Sequence, residues 1–177
     1  MDQEPTAFFQ RFQTEDRAAL TQKVEQDYED LARARAHGDE QMQLECLSRL
    51  GSRLTILGEE REAAPLLGQA LALAQLLGDQ RLEVTNLLHL ATAQQYLGQR
   101  SSAQELFQKA LQKARDYHQV QYEDIILQHR GRCFVEQGMI AEARACFEQA
   151  LILRQERSDP RATTATRQAL DALKALE

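Results

Sequence analysis

The chain has 177 residues, 43% of them hydrophobic and 27% charged, which suits a soluble globular domain or a compact repeat array with a sizeable core. A formal net charge of −6 argues against the phosphate-neutralising basic surface of a nucleic-acid binder. Only three prolines and eight glycines among many Ala, Leu, Gln, Glu and Arg favour helices over strands, and no apolar run is long enough to predict a membrane-spanning helix.

The N-terminal MDQEPTAFFQRF lacks the basic and apolar regions of a signal peptide, so a cytoplasmic location is expected. Phe8, Phe9 and Phe12 are half of the six phenylalanines and precede the first clear helical pattern. This segment is expected either to fold back over an end of the molecule or to pack against a second copy in a homodimer. Over 16–37, Leu20, Val24, Tyr28 and Leu31 form one apolar stripe at helical spacing.

From residue 44 the chain repeats itself. LLGQAL, LFQKAL and CFEQAL recur at intervals of 40 residues, and aligning 44–83, 84–123 and 124–163 gives five identical columns. These are Leu47/Leu87/Leu127, Gly58/Gly98/Gly138, Ala63/Ala103/Ala143, Ala70/Ala110/Ala150 and Leu71/Leu111/Leu151. A further column is always small (Gly51, Ala91, Gly131) and another always large and apolar (Leu67, Phe107, Phe147).

Each block reads as two helices. The glycine of the second column suits the left-handed residue that closes the first helix. Asp39, Asp79 and Asp159 stand where they cap the next first helix, and Ser101 or Ser102 is expected to cap a second helix. A glycine within a helix costs about 1 kcal/mol against alanine, so Gly51 and Gly131 imply a close approach by the partner helix. Pro65 is expected in or near the first turn of its helix. Cys46, Cys133 and Cys146 form no CxxC pair and are expected as buried free thiols.

The pattern Gly51, Gly58, Ala63, Leu67, Ala70-Leu71, repeated twice more, resembles the tetratricopeptide repeat. Departures are the leucines at the usual tryptophan position (Leu47, Leu87, Leu127) and the variable Leu54, Gln94 and Phe134 at the usual tyrosine. The 40-residue period marks a long variant of a repeat that commonly runs to about 34 residues. The resemblance implies an all-α solenoid of antiparallel helix pairs wound as a right-handed superhelix. Residues 1–38 would supply an N-terminal segment and capping helix, 44–83, 84–123 and 124–158 the repeats, and 160–177 a C-terminal capping helix, all in one domain. Lys23, Asp27 and Asp30, and Arg167 and Asp171, replace array columns in the caps and are expected on their polar outer faces.

The resemblance further implies a non-enzymatic protein-interaction module whose first helices line a groove for a peptide or helix. Helical geometry puts Arg49, His89 and His129 in one groove column and Ser52, Thr92 and Arg132 in the next, with Ile56, Leu88 and Tyr96 beside them. This mildly basic, hydroxyl-bearing stripe is expected to take an acidic segment, more weakly as pH rises past the histidine pKa values. Alternatives are a self-associating structural protein using Phe8, Phe9 and Phe12 and the end caps, or a peptide-sensing regulator. No catalytic motif, cofactor or metal-ligand set is indicated.

Overall fold

The computed structural model describes Phe9 and residues 16–176. Phe8 and Phe12 lie outside the described residues. The chain is all-α, with α1 (Arg17–His37), α2 (Glu40–Leu57), α3 (Glu60–Leu77), α4 (Gln80–Tyr96), α5 (Arg100–Asp116), α6 (Val120–Glu136), α7 (Ile140–Glu156) and α8 (Pro160–Lys174). Among the described residues there is no strand.

The helix hairpins begin at residues 40, 80 and 120, so each starts four residues before the sequence block containing it. Gly58, Gly98 and Gly138 adopt φ of 91°, 80° and 71°, the left-handed conformation expected at the close of each first helix. Asp39 and Asp79 each accept from an amide three residues on (Met42 N and Leu82 N, both 2.9 Å), and Asp159 does so from Ala162 N at the same distance. Ser101 and Ser102 are not caps: α5 already begins at Arg100, which places both in its first turn. Pro65 also departs from expectation. Helix α3 starts at Glu60, so the proline sits inside it, where its missing N–H forfeits one backbone hydrogen bond.

The molecule divides into two compact units, each described by itself. One is Phe12–Ala110 and the other Met1–Arg11 with Leu111–Glu177; α5 contributes residues to both. In the first unit α1 packs on α2, α2 on α3, and α4 on both α2 and α3. Its core runs through Leu31, Leu44, Leu47, Leu50, Leu67, Ala70 and Ala74. The small column now has a visible cause. A Cβ on Gly51 would collide with the Leu67 Cγ and Cδ2 atoms, so the bare glycine is what lets α3 lie this close to α2.

In the second unit α6 packs on α7 and α7 on α8, around Ile126, Leu127, Phe147, Ala150 and Leu173. Gly131 repeats the arrangement: its Cβ would fall 2.7 Å from Phe147 Cε1. The three cysteines are buried and free.

Both end helices carry polar residues in array columns, with different outcomes. Arg167 and Asp171 of α8 are exposed, as expected. Asp27 of α1 is not on an outer face; it is only 3% exposed and pairs with Arg49 and Arg53 of α2. A second buried carboxylate, Asp124 of α6, stands where the earlier blocks have Leu44 and Val84. It is held by Arg154 (2.7 Å) and Arg157, and Arg154 also reaches Gln128 (3.0 Å) and Thr166. Burying such a charge is tolerable only because each carboxylate meets two guanidinium groups.

Candidate partner-binding surface

Helices α2 and α4 lie side by side in the first unit and open a cavity of about 260 Å³ between them. From α2 come Arg49, Ser52 and Arg53; from α4 come Arg81, Thr85 and His89. The α4 residues recur every four positions, so one face of that helix presents all three. The structure thus brings together Arg49, Ser52 and His89 of the expected stripe and adds Arg53, Arg81 and Thr85.

The charge in this cavity is smaller than its three arginines suggest. Arg49 Nε donates to Asp27 at 2.9 Å, while its Nη2 lies 3.8 Å from Asp30 and its Nη1 3.9 Å from Glu45. Arg53 shares Asp27 and donates to the Lys23 carbonyl at 3.2 Å. These two guanidinium groups largely answer an acidic cluster within the same unit. Arg81 is exposed, and among the described residues its side chain makes no hydrogen bond or ion pair.

His89 adds no charge near neutral pH. Its ring is half-buried and desolvated, which pushes its pKa down to about 4. The expected weakening of binding as pH rises past the histidine therefore does not apply to His89, which is already neutral well below pH 7.

Hydroxyls are partly committed too. Thr85 Oγ1 donates to the Arg81 carbonyl at 3.1 Å, whereas Ser52 makes no side-chain hydrogen bond among the described residues. Arg81, Ser52 and the neutral His89 ring are polar groups of this cavity that make no side-chain hydrogen bond among the described residues.

The remaining expected groove residues fare unevenly. Ile56 and Tyr96 are half-buried. Leu88 and Thr92 are only 5% and 7% exposed, and Thr92 Oγ1 bonds the Leu88 carbonyl of its own helix at 2.9 Å, so both are packed positions and offer a partner almost no surface. In the second unit His129 and Arg132 are half-buried on α6. Arg132 Nη2 donates to the Phe9 carbonyl at 3.1 Å. Phe9 is 5% exposed and its ring stacks on Phe147, centroids 6.0 Å apart at 18°. Its apolar surface is thus largely covered within its own chain.

Asn86, fully buried on α4, went unnoticed in the sequence; its amide donates to Ser48 Oγ and the Leu82 carbonyl, both at 2.8 Å, fastening α4 to α2 beneath the cavity. A polar residue in a column otherwise held by Cys46 and Ile126 was the available signal. Of Arg81, Thr85 and His89, only His89 was expected from the sequence; for Arg81 and Thr85 the available signal was their spacing of four residues along the same face.

The family model of the tetratricopeptide repeat matches residues 43–80, which hold most of α2 and all of α3. That stretch contains the Gly51–Leu67 crossing. Residues 43–80 form a tetratricopeptide repeat. No curated protein matches it. Among the described residues of this repeat protein, no helix is long and apolar enough to cross a membrane, and no group of three or more His, Cys, Asp or Glu is placed to hold a metal ion.

Proposed function

We propose that this repeat protein is a non-enzymatic adaptor or scaffold of the cytoplasm that takes an acidic peptide segment or helix between α2 and α4. Repeats of this kind typically mediate protein–protein contacts. One observation carries the finer reading: Arg81 and Ser52 border a 260 Å³ cavity with their polar groups uncommitted, beside two arginines already held by Asp27. A carboxylate docking there finds an uncompensated guanidinium and a hydroxyl, with Arg49 and Arg53 oriented as secondary donors. A charge-assisted hydrogen bond of this type contributes about 1.5–3 kcal/mol. Loss of Arg81 should therefore weaken binding by roughly ten- to a hundredfold.

Fluorescence anisotropy with labelled acidic, neutral and basic peptides of equal length tests this. The acidic peptides should bind best, less tightly as salt rises, and Arg81→Glu should abolish the preference. Equal binding of neutral peptides, or an unchanged preference in Arg81→Glu, would overturn the reading.

Self-association is the weaker alternative, since Phe9 is enclosed by Phe147 within the chain. Light scattering should give the monomer mass.

A further inference from the structure

Phe9 belongs to no repeat column, yet it is one of the buried aromatic residues of the second unit. It stands 123 residues from Arg132 in sequence, and what it offers α6 and α7 is generic to a peptide: a main-chain carbonyl and an aromatic ring. The receiving side is specific. Arg132 occupies a column that holds Ser52 and Thr92 in the other repeats, and only the long guanidinium extends to a backbone carbonyl beyond its own helix. Phe147 supplies a flat ring where the first repeat has Leu67, and Gly131 leaves the space in which that ring lies. A guanidinium for the backbone and an aromatic face for one side chain make a minimal recognition site for an extended segment.

We infer that Phe9 is the built-in occupant of a second peptide site, formed by Arg132 and Phe147, whose external ligand is a partner segment carrying a phenylalanine or other aromatic residue. The site lies on α6 and α7 and is independent of the α2–α4 cavity, so it stands or falls separately. An occupant belonging to the same chain competes directly with any external segment for these two side chains. A partner therefore binds weakly until Phe9 leaves, and the affinity seen is the intrinsic one scaled down by the small fraction of molecules with an open site. Phe9 in this role restricts access to ligands that are themselves multivalent, abundant or strongly aromatic.

The test uses the full chain and its own segment supplied in trans. A fluorescein-labelled PTAFFQRFQ peptide (residues 5–13) is titrated into the wild-type protein and into Phe9→Ala, with anisotropy as the readout. Phe9→Ala should bind the peptide at least about tenfold more tightly than wild type. Replacing the peptide's own Phe9 by Ala should remove binding, and adding Arg132→Gln to the Phe9→Ala protein should weaken it. Equal affinity for both proteins would overturn the inference, as would no binding to a Phe9→Ala protein with native helical circular dichroism. Loss of that helical signal in Phe9→Ala would overturn it as well, because a residue required for folding is not a displaceable occupant.

Discussion

The ring of Phe147 lies where a side chain on Gly131 would have to go, with Cε1 2.7 Å and Cζ 2.9 Å from the position of that missing Cβ. Elsewhere in a helix, glycine to alanine is favourable by about 1 kcal/mol. Here the buried aromatic ring has little room to yield, and overpacking a close-packed site costs about 1–3 kcal/mol. Gly131→Ala and Gly51→Ala should each lower stability by about 1–2 kcal/mol. Gly68→Ala, on α3 with nothing near its absent Cβ, should raise it by about 0.5–1 kcal/mol. Urea denaturation of the three variants checks the contrast, and three shifts of one sign would refute it.

Arg154 is fixed by a partner it cannot lose cheaply. Arg154→Ala leaves Asp124 buried with only Arg157 and should cost about 3–5 kcal/mol. Asp124→Leu with Arg154→Ala restores the residue types of the other repeats, where those columns hold Leu44 or Val84 and Ala34, Ala74 or Ala114. The double variant should recover most of the loss in chemical denaturation. Additive destabilisation would show that the ion pair is not the cause.

His89 has a folded-state pKa of about 4 against 6.5 for the free imidazole. Between these values the unfolded chain takes up a proton that the folded chain resists, so stability is full above about pH 6.5 and declines as pH falls to about 4. The shift amounts to about 3 kcal/mol at most. His89→Gln should flatten this part of the stability–pH curve relative to wild type, measured by urea titrations between pH 7.5 and 4.5. Parallel curves for the two proteins would rule His89 out as the titrating group.

Second helices close on Gly38 and Gly78 at φ of 67° and 70°, but on His118 and Ser158 at φ of 54° in the later positions. A side chain in that left-handed conformation costs about 1 kcal/mol that glycine avoids. His118→Gly and Ser158→Gly should each raise the melting temperature by a few degrees, corresponding to a gain of somewhat under 1 kcal/mol after the extra entropy of the unfolded glycine. A fall in both melting temperatures would point to side-chain contacts outweighing the backbone strain.

Much of this architecture was legible in the order of the residues because its causes are local or periodic. Helical spacing, aspartate caps and closing glycines act within a turn or two, and the 40-residue recurrence of Gly51 with Leu67 and of Gly131 with Phe147 announces which helices must touch. The interaction surface was only half legible. Periodicity says which way a side chain leaves its helix, and that much placed Arg49, Ser52 and His89 beside one cavity. Whether the side chain is then free depends on what another helix brings to it. Asp27 arrives from α1 to hold Arg49 and Arg53, desolvation leaves His89 uncharged, and Phe9 comes from far along the chain to meet Arg132. Burial and charge pairing are properties of several elements packed together, and only the tertiary structure decides them.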